Sequence, residues 1–217
     1  EPSIFESMRF YQLPFFLPFL DPSRLWKGPA SERKISLTFD DGPVPGITDW
    51  VVEELANRGM KATFFMVGDN VRKHQTLAQE VVAAGHQLGN HTYHHLSGWK
   101  TATQTYLDDV EACDAILADT VGVTPRFFRP PYGWINPGQA KGVAAVKKIV
   151  MWSLLSYDFD SGLSSENLIR RTTARTAPGT IVVFHDQQKT KVQLKKVLPH
   201  YLDFLVGEGY TTQLLEG

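Results

Sequence analysis

From residue 34 onward, short and mostly apolar runs alternate with segments of helical periodicity, and this alternation constrains the fold more than any other feature. The runs at 35–39 (ISLTF), 62–67 (ATFFMV) and 180–185 (TIVVFH) are too short for helices and are rich in apolar residues, which is typical of buried strands. Strands that are apolar on both faces are typical of a parallel sheet covered by helices. We therefore expect an α/β fold, either a (β/α) barrel or a doubly wound sheet.

The remaining segments complete a count of seven predicted strands. Further strands are predicted at 87–90, 126–129, 148–153 and 210–213, and helices at 47–58, 70–84, 101–119, 137–147, 165–177 and 192–207, with Ser165 as an N-cap. Because no linker interrupts the alternation, residues 34–217 are predicted to form one domain. Residues 1–33 precede it as an N-terminal extension, whose aromatic stretch at 10–20 (FYQLPFFLPFL) is expected to pack on the barrel.

The composition excludes several classes of function. The 22 basic and 23 acidic residues give a net charge of −1, which argues against nucleic acid as a partner. No apolar run reaches the roughly 18 residues that a transmembrane helix needs, so no transmembrane segment is expected. The single cysteine, Cys113, cannot form an intramolecular disulfide or a cysteine-rich zinc site, and we expect it in the core.

Polar residues cluster where five of the predicted strands end. In parallel α/β folds the carboxyl ends of the strands meet at one edge, and the chemistry is found there. The clusters are Asp40-Asp41-Gly42-Pro43, His91-Thr92-Tyr93-His94-His95, Arg129-Pro130-Pro131-Tyr132-Gly133, Tyr157-Asp158-Phe159-Asp160 and His185-Asp186. Each cluster alone has an ordinary structural explanation, such as a turn or a core histidine. Together, two histidines and a carboxylate could hold a metal with open positions, and a further carboxylate and histidine could serve as base and acid.

Four of these strings, in this order, resemble the motifs of the NodB-type polysaccharide deacetylases, carbohydrate esterase family 4. They are TFDDGP at 38–43, HTxxH at 91–95, RPPYG at 129–133 and the late VxHD at 183–186. The resemblance extends from about residue 35 to residue 210. It implies a distorted (β/α)7 barrel and the removal of N-acetyl, or alternatively O-acetyl, groups from sugars with the help of a divalent metal.

The resemblance also implies a metal site and a substrate. Asp41, His91 and His95 would bind the metal, most simply Zn2+, with Co2+ or Ni2+ as alternatives. The expected partner is an N-acetylated carbohydrate polymer or oligomer, and a substrate of this class favours the cell envelope or a secreted location.

By the same resemblance, further residues would carry out the reaction. Asp40 would be the general base that activates water, and His185 the general acid that protonates the leaving amine. Arg129 would pair with Asp40, and Tyr132 would offer its backbone N–H to the oxyanion.

Asp158 would orient His185. Asp160 competes for this role, but the spacing from Trp152 favours Asp158.

Some aromatic positions leave alternatives open. The family often has Trp where Phe159 stands and Leu where Val183 stands, and both positions line the acetyl pocket in relatives. Trp99 and Trp134 follow the motif loops, where they either stack on sugar rings or pack the loops onto the barrel.

Two other functions compete with a deacetylase. One is a non-catalytic carbohydrate-binding protein on the same fold. The other is a non-haem iron oxygenase, since two histidines and a carboxylate also form that metal site. Asp40 and His185 favour the hydrolase, because an oxygenase needs neither of them.

Overall fold

The computed structural model describes residues 21–30 and 32–216, so the aromatic stretch predicted at 10–20 lies outside the described residues. The strands are β1 (Lys34–Asp40), β2 (Ala62–Met66), β3 (Gln87–Asn90), β4 (Phe127–Phe128), β5 (Lys148–Ile149), β6 (Leu154–Leu155), β7 (Ile181–His185) and β8 (Thr211–Thr212). The helices are α1 (Thr48–Ala56), α2 (Gly68–Lys73), α3 (Gln75–Ala83), α4 (Thr103–Val121), α5 (Pro137–Ala144), α6 (Ser165–Thr173) and α7 (Lys191–Gly207).

Seven strands form a curled parallel sheet in the order β5-β4-β3-β2-β1-β7-β6, and β8 pairs with the start of β1. With helices against the sheet, this architecture is the distorted (β/α)7 barrel that the sequence predicts. The strand β1 lies at the centre, paired with both β2 and β7. In this register Asp40 lies opposite Phe65 on one side and His185 on the other, so the three side chains share a face.

The alternation of side chains along the central strands separates a packed face from a polar one. Phe39 stacks between Phe64 and Phe184, with ring centroids 5.1 and 6.0 Å away, on the face that packs against the helices. Thr38 and Asp40 point to the other face, inside the curl of the sheet. The core thus fixes the direction of every polar side chain at the strand ends.

Of the strand predicted at 148–153, only residues 148–149 form a strand, β5. The strand β6 at 154–155 was not predicted, and it lies at the opposite edge of the sheet. Residues 150–153 carry the chain from the edge beside β4 to the edge beside β7. The connecting segment is held by the N-terminal extension, because Leu25 forms a parallel bridge with Val150 and the neighbouring Trp26 is buried. An apolar run does not reveal which neighbour each of its residues will pair with.

The helix predicted at 70–84 is broken at His74 into α2 and α3. His74 has φ −133° and ψ 50°, outside the helical region. The segment around the break (RKHQT, 72–76) contains no apolar side chain that could hold one continuous helix against the core.

Among the described residues, no helix has the length and apolarity that crossing a membrane requires. The predicted position of Cys113 in the core is observed, because the residue is fully buried and its thiol is free.

The N-cap of α6 is Ser164, and not the predicted Ser165. The Ser164 side chain accepts a hydrogen bond from the backbone N–H of Asn167. Ser165 lies one residue inside the helix, where its hydroxyl donates to Gln193 on α7 at 2.7 Å.

We expect Ser164→Ala to lower the free energy of unfolding by about 1 kcal/mol, because the N–H of Asn167 loses its acceptor. Urea denaturation monitored by circular dichroism measures this change. Ser161→Ala is the matched control, since Ser161 is exposed and precedes the cap. Equal effects of the two substitutions would contradict the assignment of the cap.

Candidate active site

The polar strand ends converge on one pocket at the carboxyl edge of the sheet. Its volume is about 130 Å³, smaller than the roughly 300–1,000 Å³ of a site that encloses a whole small molecule. It is lined by Asp40, Asp41, His91, His95, Tyr132, Trp152, Leu155, Tyr157, Phe159, Val183, His185, Gln187 and Lys189. The pocket therefore has room for a small group, with the rest of a larger ligand outside.

Asp41, His91 and His95 form a cluster that could hold a metal ion. One donor atom from each residue lies within 4.8 Å of the others. The Asp41 Oδ1 atom is 3.0 Å from His95 Nε2 and 3.5 Å from His91 Nε2, yet it is buried without a hydrogen-bond partner among the described residues. Three donor atoms brought this close without hydrogen bonds between them fit a cation at their centre.

The tautomer of His91 supports this interpretation. Its Nδ1 atom lies 2.7 Å from the carbonyl oxygen of Arg129. Because a carbonyl oxygen only accepts, Nδ1 carries the proton, and Nε2 of the neutral ring presents a lone pair towards Asp41. Two electron-pair donors facing each other need a positive charge between them, which is either a proton or a metal cation.

The charge of Asp41 suits a cation as well. Burial alone would raise the pKa of Asp41, but the His91 and His95 side chains outweigh it and hold that pKa well below its usual range. The other carboxylate oxygen, Oδ2, accepts from Gln187 Nε2 at 2.5 Å. Asp41 is therefore ionised and oriented.

The loops that carry these donor residues adopt strained backbone conformations. Asp41, Thr92 and His95 have φ values of 83°, 63° and 56°, in the left-handed region that non-glycine residues rarely adopt. Such conformations cost of the order of 1 kcal/mol or more each, so the surroundings must enforce them. Asn70 donates to the carbonyl of Asp41 at 2.8 Å, and Asn90 Oδ1 accepts from the Thr92 N–H at 2.8 Å.

Arg129 is fully buried and pairs with Asp40. Its Nη1 atom is 2.7 Å from both Asp40 Oδ1 and Thr38 Oγ1, and its Nη2 donates to the Met151 carbonyl at 2.9 Å. The guanidinium also lies over the ring of Phe65, 4.2 Å from the ring centroid. Within the described part of the chain no group hydrogen-bonds to Asp40 Oδ2, which leaves that oxygen able to accept a proton.

His185 pairs with Asp158 rather than with Asp160. Its Nδ1 is 2.7 Å from Asp158 Oδ1, and its backbone N–H donates to Asp158 Oδ2 at 2.8 Å. Asp160 instead accepts from the backbone of Gly162. Burial alone would lower the pKa of His185, but the Asp158 carboxylate raises it to about 9. His185 therefore carries its proton through neutral pH and loses it as the pH rises through about 9.

Aromatic and aliphatic side chains form the rest of the pocket wall. Phe159 meets His185 edge to face, with ring centroids 5.2 Å apart. The Tyr132 ring contacts His95 in the same way at 4.7 Å, and the Tyr132 backbone has a positive φ of 60° within the turn after β4. Val183 lines the same pocket. The structure thus brings all eight predicted site residues together, with Arg129 and Asp158 behind the pocket wall.

Asp109 was not predicted to take part in the site. This buried residue on α4 accepts from the backbone N–H groups of Tyr93 and His94 at 2.8 and 2.9 Å, and its Oδ1 is 2.6 Å from His94 Nδ1. It thereby fixes the loop between His91 and His95. Its position on the stripe of Tyr106, Val110 and Cys113 was the signal, because a carboxylate among buried positions needs partners.

The sequence places Asp186 beside His185 in the last motif but assigns it no role. It is fully buried, accepts from Thr48 Oγ1 at 2.5 Å and from the N–H of Gly42 at 3.2 Å, and so anchors the turn that follows Asp41. A side chain at Gly42 would collide with it, since a Cβ atom there would lie 2.1 Å from Asp186 Oδ2. Burial raises the pKa of Asp186 to about 8, so it is mostly neutral at pH 7 and adds little negative charge beside Asp41.

Comparison with known proteins gives consistent matches. A family model described as polysaccharide deacetylase matches residues 27–147. A peptidoglycan-N-acetylglucosamine deacetylase of Bacillus cereus is 31% identical over 180 residues, covering 80% of this chain and 65% of that protein. A chitooligosaccharide deacetylase of Bradyrhizobium is 32% identical, covering 79% of this chain and 78% of that protein.

A solved structure gives the same result. The crystal structure of a peptidoglycan N-acetylglucosamine deacetylase in complex with 4-naphthalen-1-yl-N-oxidanyl-benzamide has a TM-score of 0.81 at 28% identity, covering 94% of this chain and 95% of that chain. Some relatives are considerably longer. The chain spans 65% of the Bacillus cereus protein and 34% of a related deacetylase from Listeria monocytogenes.

We expect Asp158→Asn to move the His185 pKa down from about 9 towards or below its ordinary value near 6.5, because the carboxylate that raises it is gone. An NMR titration of the His185 ring in metal-free protein measures the shift. Asp160→Asn is the control, and should leave the titration of His185 near its wild-type position. A His185 pKa that is the same in all three proteins would show that Asp158 does not set it.

Proposed function

Since the chain belongs to the polysaccharide deacetylase family, we propose that it is a divalent-metal-dependent hydrolase that removes N-acetyl groups from a sugar polymer or oligomer. One observation carries the proposal. Beside a metal-donor set of one carboxylate and two histidines, the pocket holds an arginine-paired carboxylate and an aspartate-paired histidine, Asp40 and His185. A group that accepts a proton and a group that donates one therefore flank the same small space.

Asp41, His91 and His95 would hold the metal. A bound divalent ion lowers the pKa of water and polarises a carbonyl group, both of which amide hydrolysis requires. We propose Zn2+, because two imidazole nitrogens and one carboxylate oxygen with open positions are typical of catalytic zinc. Co2+ and Ni2+ suit the same donors and are the alternatives to test.

Asp40 is the proposed general base. As the water oxygen bonds to the acetyl carbon, Asp40 Oδ2 takes the proton, while Arg129 holds Oδ1 and keeps the carboxylate in place. The negative charge that develops on the acetyl oxygen would be stabilised in part by the backbone N–H of Tyr132, a residue of the turn after β4 that lines the pocket.

His185 is the proposed general acid. When the carbon–nitrogen bond breaks, His185 Nε2 gives its proton to the leaving nitrogen, so the products are acetate and a free amine. Asp158 binds Nδ1 and thereby orients Nε2 and keeps the ring protonated at neutral pH.

An N-acetylated carbohydrate is the proposed substrate. The matched relatives are named for peptidoglycan N-acetylglucosamine and for chitooligosaccharides, and both materials carry N-acetyl groups on sugars. The pocket volume of about 130 Å³ suits an acetyl group between Phe159, Val183 and Trp152, with the sugar outside. O-acetyl groups would fit the same space and are a second substrate to compare.

The proposed activity is tested by measuring acetate release. We expect the protein supplied with Zn2+, Co2+ or Ni2+ to release acetate from N-acetylglucosamine oligomers or peptidoglycan, with slower release from acetylated xylan. A chelator should abolish turnover, and added metal should restore it. Absence of acetate release from every sugar with every metal would overturn the proposal and favour a carbohydrate-binding role.

Three variants separate the proposed roles in the site. We expect Asp40→Asn to keep one metal ion per chain but to lose roughly 100-fold or more in turnover, because the base is removed. His91→Ala should lose the metal together with activity. His200→Ala is the matched control, since His200 lies on the exposed surface of α7, with its Nδ1 2.9 Å from the carbonyl oxygen of Lys196, and it should keep both metal and turnover.

Elemental analysis of the purified variants and acetate release measure these outcomes. Near-normal turnover of Asp40→Asn, or full metal content in His91→Ala, would contradict the assigned roles.

A further inference from the structure

Trp99 and Trp134 form an aromatic pair on the two loops that follow the pocket residues His95 and Tyr132. Their rings are perpendicular, with centroids 5.1 Å apart. Trp99 is 69% exposed, which is a high value for a large aromatic side chain, whereas Trp134 is partly buried. Packing within the chain therefore accounts for only part of this pair.

The two loops that carry the pair are connected by hydrogen bonds from one buried side chain. Gln139 is fully buried, and its Nε2 donates to the carbonyls of Gly98 and Thr101 at 2.9 and 3.0 Å. Its Oε1 accepts from the backbone N–H of Asn136 at 3.0 Å. A Cβ atom at Gly98 would lie 2.5 Å from the Trp134 carbonyl, so only glycine allows this approach. The pair is thus held in place before any ligand binds, which lowers the entropy cost of binding.

The pair is continuous with the pocket. Trp99 follows the metal-donor residue His95 by four positions, and Trp134 follows the pocket residue Tyr132 by two. The rings of His95 and Tyr132 contact each other, so the two loops leave the pocket side by side. A ligand whose acetyl group fills the pocket and whose other end extends along these loops would meet the aromatic pair.

The chemistry of the pair favours a sugar ring. A pyranose presents a face of C–H groups that lies flat on an indole, and the faces of aromatic rings carry the partial negative charge that attracts those hydrogens. The pocket is too small to enclose a sugar, so affinity for a polymer must come from contacts outside it.

We propose that the Trp99–Trp134 pair is a sugar-binding subsite that stacks on a neighbouring residue of a chain of linked N-acetylhexosamines. This inference rests on the proposed function, because it places the acetylated residue at the pocket. Chitin oligomers and the glycan strands of peptidoglycan share this chemistry. The subsite makes the protein selective for oligomers over single sugars.

Binding is measured first, so that the test does not depend on turnover. The probe is the hexamer of N-acetylglucosamine, titrated calorimetrically into the metal-loaded Asp40→Asn protein, with purified glycan strands as a second ligand. We expect Trp99→Ala, introduced into that protein, to weaken hexamer binding roughly ten-fold, in line with the loss of a large aromatic anchor. Trp134→Ala should act in the same direction.

Two further variants separate stacking from folding. Trp99→Phe keeps an aromatic face and should recover most of the affinity. Val146→Ala removes another exposed apolar side chain, in the connection before β5, and should bind like the parent protein. Hexamer affinity that is unchanged by Trp99→Ala, or no hexamer binding in the parent protein, would overturn the subsite. Weakening with only one of the two ligands would identify the glycan that the subsite recognises.

Turnover then tests selectivity in the protein with Asp40 intact. In Trp99→Ala we expect KM to rise with little change in kcat, and the loss of kcat/KM to grow from the dimer to the hexamer. An equal loss at every length would indicate a structural role and would overturn the subsite. Absence of acetate release from the wild-type protein would overturn the proposed function alone, because the binding titration still decides whether the aromatic pair recognises the sugar chain.

Discussion

A single buried arginine connects the parts of this structure on which the proposed chemistry depends. The Arg129 guanidinium holds Asp40 and Thr38 on β1 and the carbonyl of Met151 in the segment between β5 and β6, while its backbone carbonyl fixes the tautomer of His91. A buried charge is stable only when its hydrogen bonds are satisfied, and the planar guanidinium meets several acceptors at once. A lysine could neutralise Asp40, but it could not also hold Thr38 and Met151 in the same plane.

Negative charge is the constraint that this arrangement has to manage. Asp40 and Asp41 lie at the end of β1, and Asp186 lies at the end of the paired strand β7. Three ionised carboxylates in this buried space would repel strongly. The negative charge of each carboxylate is compensated in a different way. Asp40 is paired with Arg129, and Asp41 faces two histidines. Burial keeps Asp186 mostly protonated at pH 7. Only the carboxylate without a proposed chemical role is held neutral, and its hydrogen bonds to Gly42 and Thr48 are structural ones.

The sequence predicts the strand ends well. Where an apolar strand ends on a polar residue, the apolar side chains must face the core, and this fixes the side of the sheet on which the polar side chain lies. Asp40 and His185 each close such a run. Features that depend on distant neighbours were wrong or missed. The apolar run that holds β5 and β6 divides between two edges of the sheet, a choice made by pairing with β4 and β7. Ser164 and Ser165 are equivalent in sequence, and only the path of the chain into α6 decides which one caps it.

The open topology of the barrel explains how the proposed base and the proposed acid each have a partner of opposite charge while they lie side by side. Asp40 and His185 lie on paired strands in direct register, so the two side chains stand next to each other at the pocket. Their partners come from opposite directions: Arg129 follows β4, and Asp158 follows β6, the strand at the far edge of the sheet. The sheet must curl for both partners to reach the centre, and the chain crosses between its edges at 150–153. The curvature that distorts the barrel thus lets Arg129 pair with Asp40 while Asp158 pairs with the neighbouring His185.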